Sequence, residues 1–280
     1  DLNDFPQLLG INRLPENYKP DQLISKKLCE WEHASECFLF PSGMSAVYSV
    51  INLLRNKSKP HVIVIGLLYS DTYSLLMNLG KSCRWESEFV QLDRLESLPQ
   101  TINSKTAMIF TETITNPLLE IPDLERIGEI ASEHCVPFVV DNTVGTPVNC
   151  QPLDYNADYV IHSTTKYLSG SNDHAGGAVL VKNSMDANAL KNFQRCWEMK
   201  ISHLESKALW EYMQDFQERM QRFNNNGTIL AEFLAEHFAV DFVYHPSLST
   251  NSSYAEAKKL LKGNGGGWSA LPLRMKVKML

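Results

Sequence analysis

The sequence predicts an α/β protein built on an open, mostly parallel sheet. Two observations carry this reading. Short, continuous apolar runs recur through the middle of the chain, as in strands buried on both faces. Segments of helical periodicity separate them, so strands alternate with helices.

Taken in chain order, the first helix is marked by Val47, Val50, Ile51 and Leu54, which fall on one face. His61-Val62-Ile63-Val64-Ile65, closed by Gly66, reads as a strand, and Ala107-Met108-Ile109-Phe110 as the next. Leu124, Ile127 and Ile130 share a helical face, with Asp123 near that helix's N-terminus. Pro137-Phe138-Val139-Val140, Tyr159-Val160-Ile161 and Ala178-Val179-Leu180-Val181 complete the predicted strands. From about Lys207 to Leu234 the pattern is helical and reads as a linker helix into a smaller second unit. Val240 to Tyr244 and Trp268 to Leu273 are its candidate strands. Asn224-Asn225-Asn226-Gly227 and Gly263-Asn264-Gly265-Gly266-Gly267 are short biased stretches that read as turns.

Composition narrows the function. The chain has 280 residues, 44% of them apolar and 21% charged, which suits one large or two ordinary globular domains. A net charge of -6 argues against binding to a nucleic-acid backbone. No apolar run approaches the roughly 20 residues of a membrane span. Asp1-Leu2-Asn3-Asp4-Phe5 has neither a basic region nor an apolar one, so no signal peptide is expected. The six cysteines include no C-x-x-C pair and are expected to be reduced thiols in a cytoplasmic protein.

Four motifs fall at predicted strand ends or helix starts, where an open α/β sheet gathers its site. Pro41-Ser42-Gly43-Met44-Ser45 opens the first helix; it is either a plain N-cap or an anion cradle of backbone N–H groups. Thr111-Glu112-Thr113-Ile114-Thr115-Asn116-Pro117 follows a strand. It is either a turn or a device that aims the Asn116 amide into a cleft. In Val139-Val140-Asp141-Asn142-Thr143, the acid is either a helix cap or a buried carboxylate in need of a partner. In Ile161-His162-Ser163-Thr164-Thr165-Lys166-Tyr167, the lysine is either solvated or a desolvated amine able to form a Schiff base. No G-x-G-x-x-G supports nicotinamide binding, no second histidine at ligand spacing makes His162 and Asp141 a metal site, and no G-x-S-x-G supports a hydrolase.

Together these motifs, with Tyr69 and Thr72-Tyr73 between the first two, resemble the cystathionine γ-synthase, or Cys/Met-metabolism, family of pyridoxal-phosphate enzymes. Gly170, Asp173, Gly176 and Gly177 continue the resemblance, as does Val240 to Leu273 with His245-Pro246-Ser247-Leu248. Ser70-Asp71, in place of the usual Gly-Gly, and Gly170-Ser171-Asn172-Asp173 lean toward a divergent, fungal-like cystathionine γ-synthase subgroup. The resemblance implies the aspartate-aminotransferase-like fold, fold type I. Its organisation would be an N-terminal arm (1–20), a cofactor domain (21–217) and an incomplete α+β small domain (218–280). It implies pyridoxal 5'-phosphate on Lys166, with Asp141 opposite the pyridine nitrogen and Tyr69 stacked on the ring. Gly43, Met44, Ser163 and Thr165 would hold the phosphate, Asn116 the phenolic oxygen, and Ser42 and Thr143 would complete the cofactor pocket. No metal is implied. Lys166, Tyr69 and Asp141 are the expected catalytic residues.

The implied reaction is γ-replacement on an activated homoserine such as an O-acylhomoserine, with a thiol such as cysteine as acceptor. Elimination by a cystathionine or methionine γ- or β-lyase is the neighbouring outcome, and a non-catalytic partner subunit the third. The implied partners are an amino-acid substrate and further copies in a homodimer or homotetramer. Three departures stand out. Arg13-Leu14-Pro15 occupies the place of a Tyr-x-Arg, Ser171 replaces a histidine, and the chain stops before the segment that supplies the arginine for the substrate carboxylate. The chain is then truncated or holds its substrate differently. Cofactor loading with poor turnover is the expectation, with Arg219, Arg222 and Arg274 as substitute arginines.

Overall fold

Alternation along each strand divides the interior into two cores. The computed structural model describes residues 19–55 and 58–262. Seven strands form one sheet: β1 (Glu36–Phe40), β2 (His61–Ile65), β3 (Glu86–Val90), β4 (Thr106–Glu112), β5 (Phe138–Asp141), β6 (Tyr159–Ser163) and β7 (Gly177–Val181). Their order is β1-β7-β6-β5-β4-β2-β3. The five from β6 to β3 run parallel, while β7 is antiparallel to β6 and β1 to β7. Ile63, Ile65, Ile109, Phe138, Val140 and Val160 face one core. Val62, Val64, Met108, Phe110, Val139 and Ile161 face the other. A period of two with apolar residues on both phases is why these strands read as unbroken apolar runs.

Helices cover both faces. The first core receives α1 (Pro20–Glu32), α5 (Leu124–Glu133), α8 (His203–Tyr212), α9 (Phe216–Ala235) and α10 (Tyr254–Leu260). The second receives α2 (Gly43–Leu54), α3 (Ser70–Cys83) and α7 (Ser184–Trp197). Two single-turn helices, α4 (Leu98–Thr101) and α6 (Thr146–Asn149), lie in connections. Asp123 caps α5, its Oδ1 accepting the Arg126 N–H at 3.0 Å, and the helix buries Leu124, Ile127 and Ile130 as its periodicity predicts.

Three expectations change. Lys207 to Leu234 is not one helix: the 3-10 turn Met213–Asp215 separates α8 from α9. Asn224 to Gly227 is no turn but lies inside α9. There Asn224 is buried and its amide donates to Asn149 Oδ1 at 2.7 Å, so packing overrides the local turn preference of Asn and Gly. Val240 to Tyr244 forms no strand, since no neighbouring strand is present among the described residues to pair with it. The segments around Arg13, Gly263 to Gly267, Trp268 to Leu273 and Arg274 lie outside the described residues.

Candidate active site

The carboxyl ends of the parallel strands and the N-terminus of α2 open on one cavity of about 320 Å³. All ten residues named from the sequence line it: Ser42, Gly43, Met44, Tyr69, Asn116, Asp141, Thr143, Ser163, Thr165 and Lys166. Val47, Thr72, Glu112, Val144 and Tyr167 line it too.

The wall formed by α2 is built by a capping box. Ser42 Oγ accepts the Ser45 N–H at 3.0 Å and Ser45 Oγ accepts the Ser42 N–H at 2.9 Å. This occupies the Ser42 hydroxyl and leaves the Gly43 and Met44 N–H groups, which precede the first intrahelical bond, for another acceptor. A Cβ on Gly43 would stand 2.8 Å from Ser163 Cβ and 3.0 Å from its Oγ, so only glycine lets the helix start approach the end of β6. An N-cap and an anion cradle are thus the same structure read from two sides.

Two acids stand side by side across the sheet. Glu112 of β4 pairs in register with Asp141 of β5. Asp141 Oδ1 accepts the Thr143 N–H at 2.9 Å, and Thr143 Oγ1 accepts the Ser163 N–H at 2.7 Å, linking β5 to β6. Burial raises the Asp141 pKa, opposed by its Thr143 hydrogen bonds and by nearby His162. Glu112 is raised further, by burial first and the Asp141 charge second, while the Tyr69 N–H, 2.7 Å from its Oε1, pulls it back. The sequence motif contains Glu112, but it is not among the site residues expected from the sequence. An acid ending a buried strand beside another strand-end acid was the signal.

Tyr69 is exposed, with its hydroxyl donating to Asp71 Oδ2 at 3.0 Å, a bond that raises its pKa. The Asn116–Pro117 peptide is cis, and the Asn116 side chain lines the cavity. Thr165 Oγ1 accepts the Gly176 N–H at 3.2 Å.

Lys166 is exposed within the cavity, the solvated one of the two alternatives that its strand-end position leaves open. The turn that carries it is held from behind. Gly170 N–H donates to Lys166 O at 2.8 Å, and Ser169 Oγ to Thr165 O at 2.9 Å. Arg219 of α9 donates to Tyr167 O at 3.2 Å, Leu168 O at 3.0 Å and Tyr212 O at 3.1 Å, and also pairs with Asp215. Gly170, at φ +74°, gives the guanidinium room. Arg219 is therefore committed to the backbone and is not a substitute arginine for a substrate carboxylate. Arg222 is exposed, 3.8 Å from Asp215.

The donor set suits a small anionic aromatic cofactor. A helix start offers two N–H groups beside the Ser163 hydroxyl, a carboxylate and an amide stand on neighbouring strand ends, and a lysine amine faces the same space. Among the described residues no cluster of His, Cys, Asp and Glu could hold a metal ion. No described helix is long and apolar enough to cross a membrane.

Fold and site together define an α/β protein whose strand-end cavity suits a small anionic aromatic cofactor, and comparison with known proteins narrows the class. Residues 18–278 match the family model "Cys/Met metabolism PLP-dependent enzyme". The chain belongs to this family. It is 34% identical to a cystathionine gamma-synthase of Mycobacterium leprae, over 81% of this chain and 58% of that protein. It is also 34% identical to a cystathionine beta-lyase of Coxiella burnetii, over 85% of this chain and 62% of that protein. A cystathionine gamma-lyase of Bacillus subtilis shows the same identity and coverage. The chain thus spans about three fifths of the length of these relatives. Its fold matches the cystathionine gamma synthase of Xanthomonas oryzae pv. oryzae in complex with cystathionine, with a TM-score of 0.84 and 28% identity over 91% of this chain and 67% of that one. The cystathionine gamma-lyase of Lactobacillus plantarum complexed with L-serine gives 0.83 and 28%, over 91% and 69%. The sheet and its flanking helices are those of fold type I.

Proposed function

We propose that this chain forms the cofactor pocket of a pyridoxal-phosphate enzyme that acts at the γ-carbon of an activated homoserine, with a thiol such as cysteine as acceptor. The observation that supports this is the convergence of Lys166, Asp141 and the start of α2 on one cavity within a shown family. Elimination by a β- or γ-lyase is the second reading. It is favoured by the equal identity to a synthase and to both kinds of lyase.

When bound, pyridoxal phosphate supplies an electron sink for charge that develops at the substrate's α-carbon. The Gly43 and Met44 N–H groups and the Ser163 and Thr165 hydroxyls would hold its phosphate. Lys166 would hold it covalently until the substrate's amino group displaced the lysine, and the freed Nζ would then take the proton from the substrate's Cα and return one to a neighbouring carbon. Asp141 is suited to face a cationic ring nitrogen: such a partner offsets burial and favours the carboxylate. Asn116 would donate to the phenolic oxygen. Tyr69, exposed at the rim, would cover the ring and stand near the leaving group. A homodimer or homotetramer is proposed for the assembly.

Two measurements test this reading. Borohydride reduction of cofactor-saturated protein, followed by peptide mapping, is expected to label the peptide containing Lys166; a label elsewhere overturns the pocket assignment. Product analysis with O-acylhomoserine, with and without cysteine, and with cystathionine alone is expected to show cystathionine formed only when cysteine is present. Cleavage of cystathionine as the dominant activity replaces the synthase reading with the lyase one.

A further inference from the structure

Glu32 is the last residue of α1, 109 positions before the pocket acid Asp141, and its side chain is wholly buried. One oxygen does all its bonding. Oε1 accepts His162 Nε2–H at 2.6 Å and Asn142 Nδ2–H at 2.7 Å, while Oε2 has no partner among the described residues. The Asn142 amide is fixed on its other side as well, donating to Cys150 O at 2.9 Å and accepting Thr113 Oγ1–H at 2.8 Å. Gly145 packs so closely on Asn142 Oδ1 and Thr113 that a Cβ there would collide with both. Burying a carboxylate with an unsatisfied oxygen is unfavourable, and an apolar side chain could fill the same space without that cost. Its two partners show what the position achieves. Asn142 follows Asp141 at the end of β5, and His162 precedes Ser163 at the end of β6. The His162 ring also lies close enough to Asp141 to favour its ionised form.

We infer that Glu32 is a positioning residue for the pocket: through Asn142 and His162 it ties together the two strand ends that carry Asp141 and Ser163, and so sets the spacing between the acid and the phosphate cradle. Preorganising one shell by hydrogen bonds from the next is how sites hold sub-ångström geometry. The inference rests on the pocket being the pyridoxal-phosphate site.

The test titrates pyridoxal phosphate into wild type, Glu32→Leu, Glu32→Gln and Thr106→Val. Dissociation constant, visible circular dichroism of the bound cofactor and urea midpoint are read for each. Thr106 is the control: it is buried and hydrogen-bonded to His61 at 2.9 Å, at the opposite end of the sheet. Glu32→Leu is expected to weaken cofactor binding about tenfold or more and to change the visible dichroism. Glu32→Gln retains an acceptor for both donors and is expected to restore most of the affinity. Thr106→Val should lose stability while keeping wild-type affinity. The inference is overturned if folded Glu32→Leu binds as wild type does, or if Thr106→Val loses affinity in the same proportion to its urea midpoint. If Glu32→Leu does not fold, His162→Phe decides: it cuts one link only, and wild-type affinity and dichroism there overturn the inference. A wild-type protein that fails to bind the cofactor defeats the pocket reading itself, a different result from a variant that binds as well as wild type.

Discussion

At the scale of single residues, burial raises the pKa of both neighbouring acids, Glu112 and Asp141, and each calls for its own test. Asp141→Asn keeps shape and removes charge, so substrate α-proton exchange is expected to fall about 100-fold or more, near 3 kcal/mol of barrier, with a smaller loss of cofactor affinity. Exchange at the wild-type rate would make Asp141 a structural cap. Glu112 is tested through stability: burial first, and then the Asp141 charge, raise its pKa from an ordinary 4.5. A raised value means that the folded protein holds this proton more tightly than the unfolded chain does. Its contribution to stability is complete below the ordinary value and is lost as pH rises through the raised one. The cofactor-free protein should therefore lose urea stability from about pH 4.5 upward, and Glu112→Gln, which can still accept the Tyr69 N–H, should flatten that decline. Parallel pH curves for the two proteins would rule this out. Residues such as Lys166, Asp141 and Ser163 were legible because each sits in one short segment after an apolar strand. Glu32 was not, because its partners lie 110 and 130 positions away. Val144 lines the cavity through tertiary packing that no local pattern announces.

At the scale of elements, apolar continuity made the interior strands visible and concealed the outer ones. β3 reads Glu86-Ser87-Glu88-Phe89-Val90 and buries little except Val90, as an edge strand can. β1, at the other edge, starts with an exposed Glu36 and is buried only from Phe38 to Phe40. The end of α8 and the start of α9 show the reverse case, in which a helical pattern hid a break. Met213 and Phe216 are both buried there, and the 3-10 turn between the helices brings Arg219 onto the lysine turn. Arg219→Met would leave the carbonyls of Tyr167 and Leu168 without their donor, at about 1–3 kcal/mol. The expected outcome is a lower urea midpoint together with slower borohydride labelling of Lys166. Lysine could not replace the fork, since three carbonyls and a carboxylate are met by one planar group. Unchanged labelling in a destabilised Arg219→Met protein would confine the arginine to a structural role.

At the scale of the whole molecule, the proposed division near residue 217 falls inside α9, and one apolar core runs across it. Met220 of α9 and Ala257, Leu260 and Leu261 at the end of α10 lie in the same apolar core as Leu28, Phe138 and Val160. Polar contacts reinforce this. Asn224 bonds Asn149, and the Lys262 N–H donates to Asn149 O at 2.8 Å, next to the Asn142–Cys150 segment that Glu32 organises. Each large apolar side chain lost from such a core costs about 2–5 kcal/mol, against a total stability of about 5–15 kcal/mol for a typical domain. Losing Met220, Leu260 and Leu261 together, with Arg219 and Asn224, is therefore enough to consume the stability of the remainder. A chain ending at Gln217 is expected to lack a cooperative urea transition and a native near-ultraviolet circular dichroism signal. Because the pocket depends on strand ends that this core supports, it should also fail to retain cofactor through gel filtration. A cooperative transition in the shortened chain, with its midpoint close to that of the full one, would show that residues 21–217 stand alone and that the helices after them are ornaments on a finished sheet.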